Sequence, residues 1–201
     1  MTQLAPGTRP EAVHGLVPAL TSFVGREAAI REVAELLGEY RLVTVTGPGG
    51  VGKTRLACEV ARRVADRFAD GVWLTELARV HDPALVPAVV AVTLGVRETP
   101  AARLMDSLAA ALSRRQLLLI LDNCEHVLAA AAELCAKLLP FADDVRILTT
   151  SREPIRPTVR PAAARPLNRS CSRRAAHTAI STGSRPTMMA AIEPFAWLMP
   201  R

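Results

Sequence analysis

Residues 41–54 read RLVTVTGPGGVGKT, and the change of character at Gly47 decides the fold. "RLVTVTG" (41–47) is short, β-branched and closed by a glycine, as a buried strand is. "GPGGVGKT" (47–54) follows, and "KTRLACEVARRVADRF" (53–68) then places Leu56, Val60, Val64 and Phe68 four apart on one helical face. A strand, a glycine-rich loop and a helix in that order have a physical use. Backbone N–H groups turn inward where no Cβ obstructs them, and the helix N-terminus adds partial positive charge beneath the same point. The product is a cradle for phosphate. The spacing G-x-x-x-x-G-K-[ST] completes it: Lys53 reaches the β- and γ-phosphates, and the Thr54 hydroxyl ligates Mg²⁺. The expected nucleotide contacts are Gly47, Pro48, Gly49, Gly50, Val51, Gly52, Lys53, Thr54 and Arg55.

Strand and helix patterns alternate on both sides of this unit. From Glu27, Ile30, Val33, Ala34 and Leu37 recur at helical spacing, and Gly38 is placed to stop that helix. "GVWLTELA" (71–78) reads as a second strand. "DPALVPAVVAVTLGV" opens a helix, with Asp82 as N-cap and Pro83 in the first turn, and Pro87 interrupting it. Leu104, Leu108 and Leu112 mark the next helix, "QLLLILDN" a third strand, Val127 to Leu138 another helix, and "DVRILTTS" a fourth strand. The alternation predicts an α/β fold of three layers, a parallel sheet between helices.

The apolar run of the third strand stops at Asp122, which delivers one carboxylate to the sheet edge. Beside a phosphate cradle, such a carboxylate holds Mg²⁺ through its water shell; capping the next helix is the other use of an Asp there. Asn123 follows where many ATPases of this kind place Glu. An amide orients water but cannot take its proton, and Glu125 lies two residues further on. Slow hydrolysis is the expectation, with Asn123 and Glu125 as the residues to test.

Half the chain is hydrophobic and only 3% aromatic, so the core is aliphatic. The net charge of +6 does not mark a nucleic-acid surface. Seven of the 25 Lys and Arg fall in residues 157–201 against one of the 19 acids, Glu193, leaving 18 of each sign before Pro157. A phosphate-tracking face needs clustered excess charge on the folded part, so no direct DNA binding is expected there. Cys58, Cys124, Cys135 and Cys171 form no CxxC pair and no metal spacing with the four histidines, which suits free thiols in a reducing cytoplasm. No signal peptide is evident, and "PALVPAVVAVTLGV" is too short and proline-broken to cross a bilayer. Residues 1–20 are read as a loose arm and 21–156 as the folded domain. After Arg152 no period of 2.0 or 3.6 is found, so 157–201 is read as a basic, disordered tail.

Four motifs occur in order: "TSFVGRE" (21–27), "TGPGGVGKTRLA" (46–57), "LILDNCEH" (119–126) and "LTTSREP" (148–154). The combination resembles the signal-transducing ATPases with numerous domains, above all the ATPase modules of bacterial LuxR-type and antibiotic-regulatory-type transcriptional activators, relatives of the NB-ARC proteins. The resemblance covers roughly residues 20–155. It implies the additional-strand topology, with the strand ending in "TTSR" between the phosphate-loop strand and the Asp122 strand. It also implies that Val24, Gly25 and Arg26 lie near adenine and ribose, and that Arg152 senses the γ-phosphate. ATP or ADP with Mg²⁺ would be the ligands, in a switch that self-associates or contacts C-terminal domains. The family's fifth strand and helical lid are not recognisable after "TSREP", which would leave the phosphate-loop strand at an open edge and suggests a truncated or out-of-frame ending. An AAA+ ATPase of the replication-initiator type, which also carries a "GRE"-like segment, and a non-enzymatic remnant are the alternatives.

Overall fold

The computed structural model describes residues 13–15, 26–97 and 103–157 in full, and residues 176–182 and 185–192 by their backbone. Strands β1 (Val13–His14), β2 (Leu42–Thr46), β3 (Val72–Glu76), β4 (Leu118–Asp122), β5 (Arg146–Ser151), β6 (Ala176–Thr182) and β7 (Arg185–Ile192) form one sheet. Its order is β1-β3-β4-β5-β2-β7-β6. All neighbours are parallel except β6 and β7, which pair antiparallel. Helices α1 (Glu27–Glu39), α2 (Lys53–Val64), α3 (Val86–Thr93), α4 (Leu104–Leu112) and α5 (Leu128–Leu138) cover the two faces.

Period-2 alternation sorts each central strand between two cores. Val43, Val45, Leu118, Ile120 and Leu148 face α1 and α2. Leu42, Leu119, Leu121 and Ile147 face α3, α4 and α5. Every residue of β2 and β4 is buried, which explains why β4 reads as an apolar run up to Asp122 and why β2 carries no charged residue. Each fully buried Leu or Ile contributes about 1.5–3 kcal/mol. The run Leu118–Leu121 is therefore a principal anchor for the carboxylate that follows it. At the opposite end of the sheet, buried Arg41 donates to the carbonyls of Leu139 and Ala142, where α5 runs out, and pairs with Asp143 at 3.7 Å.

β5 lies between β2 and β4, as the resemblance implied. Three expectations are corrected. The N-terminal arm is not all loose: Val13 and His14 extend the sheet beyond β3, and the His14 ring stacks on Trp73 with centroids 3.8 Å apart. Pro87 does not interrupt a helix. Asp82 accepts from the Ala84 N–H to cap a single 3₁₀ turn, Pro83–Leu85, and Pro87 sits in the first turn of α3, where its missing N–H costs nothing. The third correction concerns the tail. Residues 176–182 and 185–192 form β6 and β7, and β7 pairs with β2 in parallel through Leu42↔Met189 to Val45↔Ile192. The fifth parallel strand is present, and β2 is not an edge. The remainder of 158–201, and any lid drawn from it, lies outside the described residues.

Candidate nucleotide-binding site

The loop between β2 and α2 is shaped by glycines where the backbone requires them. Gly50 and Gly52 hold φ of 76° and 87°, the left-handed region that a Cβ disfavours. A Cβ on Gly52 would also lie 3.5 Å from the Arg26 guanidinium. The loop surrounds a cavity of about 540 Å³, lined by Gly49, Gly50, Gly52, Lys53, Thr54, Arg55, Cys58, Arg62, Asn123 and Glu125. Lys53 donates to the Gly47 carbonyl at 2.8 Å and the Pro48 carbonyl at 2.9 Å. An ammonium has three donors, so two brace the loop from inside and one is left for an anion.

Thr54, one residue into α2, donates its hydroxyl proton to the Asp122 carboxylate, 2.9 Å from Oδ1 and 3.0 Å from Oδ2. The phosphate loop and the end of β4 thus meet through one hydroxyl, whose lone pairs remain to face the cavity. Asp122 does not cap the following helix; Asn123 and Val127 occupy the cap positions there. Burial pushes the Asp122 carboxyl above its ordinary range, with smaller repulsions from Glu76 and Glu125, while hydrogen bonds from Thr150 and Thr54 pull the other way. A desolvated carboxylate beside a hydroxyl is a donor set that gains from a hard cation. Groups of three or more His, Cys, Asp or Glu able to hold a metal are absent among the described residues, so a cation here would take its other oxygens from phosphate and water. That is how Mg²⁺ is ordinarily bound beside nucleotides. The residues fit Mg²⁺–nucleotide.

The remaining candidates fall into place unevenly. Arg26 donates to the Val51 carbonyl at 2.8 Å, which ties the start of α1 to the phosphate loop; Val24 and Gly25 lie outside the described residues. Arg152, just past β5, stands 3.5 Å from Glu125, and a Cβ on Gly49 would meet its guanidinium at 3.7 Å. Glu125 is three-quarters buried, and its Oε2 has no hydrogen-bond partner among the described residues. It lines this cavity and a neighbouring one of about 590 Å³ that also borders Arg152 and His126. Its reach, open on sequence grounds, extends to the site.

Two features escape local sequence reading. Asn123 is the single non-glycine residue with positive φ among those described, at 62°. Thr150 is fully buried and touches both Asp122 and Asn123. Cys58 lines the cavity with its thiol pushed up to about 11, first by burial and then by Asp122.

A family model described as AAA ATPase domain matches residues 22–190. The chain belongs to that family. The matched range includes the phosphate loop and reaches into β7, so this AAA ATPase domain does not stop at residue 156. An uncharacterized protein of Mycobacterium tuberculosis is 42% identical over 142 residues, 71% of this chain and 36% of that protein. A putative HTH-type transcriptional regulator of the same organism is 44% identical over 120 residues, 60% of this chain and 13% of the regulator. The chain therefore spans about a third of the first relative's length and an eighth of the second's. Among solved structures, Cdc6p from Pyrobaculum aerophilum aligns with a TM-score of 0.54 at 16% identity, covering 71% of this chain and 42% of that one. That likeness shows the fold alone. The resemblance carried by the four motifs holds at family level: this is the P-loop module of an AAA ATPase domain shared with transcriptional regulators. Family membership implies nucleotide binding. Among the described residues, no helix is long and apolar enough to cross a membrane.

Proposed function

We propose that this module binds ATP and ADP with Mg²⁺ and acts as a slowly hydrolysing nucleotide switch within a cytoplasmic transcriptional regulator. The observation that carries the reading is that Lys53 and Thr54 line one cavity while Thr54 is tied to Asp122 at 2.9–3.0 Å. Bound Mg²⁺ would neutralise phosphate charge and link it to Thr54 and Asp122. Lys53 and the loop N–H groups hold the β- and γ-phosphates, and Arg26 fixes the loop from behind through Val51. Arg152 is the residue whose partner depends on the γ-phosphate: it pairs with Glu125 when no phosphoryl oxygen claims it. Asn123 orients water without accepting its proton, and a general base is worth typically about 10²–10⁴-fold, so turnover is slow. Slow turnover serves a switch, whose bound state must outlast its signal.

Balanced charge before Pro157 supports DNA contact being made elsewhere in a regulator. Contacts to other domains or to a second copy transmit the nucleotide state. Titration calorimetry with ATP and ADP tests the reading: Lys53→Ala loses binding with an unchanged far-ultraviolet circular dichroism spectrum. Wild-type affinity in that variant removes the assignment.

A further inference from the structure

We propose that Thr150 is a positioning residue for the Mg²⁺ site, its hydroxyl setting both the orientation of the Asp122 carboxylate and the turn that carries Asn123 and Glu125. Parallel pairing of Leu121 with Thr149 brings the next residue of β5 alongside the next residue of β4. Thr150 Oγ1 donates to Asp122 Oδ1 at 2.5 Å and accepts from the Asn123 backbone N–H at 2.9 Å. A hydroxyl has one proton. With that proton committed to the carboxylate and a lone pair committed to the amide, its rotor has one setting. The donation is of the short, charge-assisted kind.

The carboxylate is held unequally. Oδ1 takes Thr150 and a share of Thr54, whereas Oδ2 takes only the weaker share of Thr54. Oδ2 is thereby the oxygen less committed to the protein, and the one left to bind through a cation's water shell. Nothing else around Thr150 calls for a hydroxyl: it is fully buried, on the sheet face packed by Val45, Ile120 and Leu148. A valine there suits a buried strand better, so the cost of desolvating the hydroxyl is offset only by these two bonds. The accepted bond also stabilises the left-handed turn at Asn123, from which Glu125 is aimed at the cavity.

The proposal rests on the Mg²⁺–nucleotide reading, and its test separates the two. ATP affinity is measured by calorimetry with Mg²⁺ and with EDTA, for wild type, Thr150→Val and Thr150→Ser. Partners that orient metal ligands are worth about 10–100-fold in affinity. The Mg²⁺-dependent gain should fall about tenfold or more in Thr150→Val, with EDTA affinity unchanged, and return in Thr150→Ser. Hydrogen exchange at the Asn123 amide should quicken in the valine variant and not in the serine one. A valine variant that keeps the full Mg²⁺ gain overturns the positioning role, as does an equal loss with and without Mg²⁺. A wild-type protein indifferent to Mg²⁺ overturns the parent reading instead.

Discussion

Substituting Asn123 separates two reasons why no acid follows Asp122. The backbone there stands at φ 62° and ψ 50°, a conformation that costs a Cβ-bearing residue about 1–2 kcal/mol and that Asn and Asp tolerate through their short polar side chains. A Glu has no such relief, so Asn123→Glu should lose about 1 kcal/mol on backbone grounds alone. For a domain of this size that corresponds to a melting temperature roughly 2–4 °C lower. Charge adds to it. The Asp122 carboxyl is already raised by burial and by Glu76 and Glu125, and a further carboxylate next to it raises it again. Asn123→Asp keeps the backbone and adds the charge; Asn123→Gly frees the backbone and adds nothing. Melting followed by circular dichroism in EDTA should therefore rank Gly at or above wild type, Asp slightly below, and Glu lowest. A Glu variant that melts with wild type would refute the strain argument. Hydrolysis reads the catalytic half: weak ATPase in wild type, and more in Asn123→Asp, where a base is supplied without distorting the turn.

Asp122→Asn should abolish the response to Mg²⁺ while the metal-free protein melts no lower than wild type, because a desolvated charge is removed. Its pH profile carries the sign. Between the ordinary carboxylate pKa near ~4 and the raised value, folded wild type holds a proton that the unfolded chain has lost, so acidification through that window stabilises wild type and not the variant. Arg41→Met leaves the Leu139 and Ala142 carbonyls without their charged donor and should cost about 3 kcal/mol, read as the shift in a urea midpoint; an unchanged midpoint would make Arg41 a bystander. A chain ended at Pro157 exposes the β2 edge that β7 covers. It should melt earlier and self-associate in size-exclusion chromatography, and behaviour like the full chain would detach β7 from the fold.

The parts visible in sequence are those whose chemistry is local. A phosphate loop needs its glycines, Lys53 and Thr54 within eight residues, and a buried strand announces Asp122 by ending there. The insertion of β5 between β2 and β4 came from motif resemblance, because periodicity carries no strand order. Thr150 and the left-handed Asn123 stayed hidden for a related reason: cross-strand register decides what touches what, and one hydroxyl among Thr149, Thr150 and Ser151 looks like another. β7 was missed because a parallel strand need not alternate. "RPTMMAAI" offers no period to find, and the Pro and Arg around it lowered the apparent hydrophobicity of the region. Pro87 misled in the opposite sense, a helix starter mistaken for a breaker.

The pairing of β2 has a consequence for the order of events during synthesis. Leu42 stands in register with Ile147 on one side and Met189 on the other, partners more than 100 residues later in the chain. Contacts so distant in sequence form slowly, since loop-closure entropy must be met before they contribute. While the chain is being made, the phosphate loop emerges early and waits, first for β5 on one flank of its strand and then for β7 on the other. Nucleotide capture would thus report completion of the sheet: a translation product interrupted before β7 carries the loop but not both of the strands that flank β2.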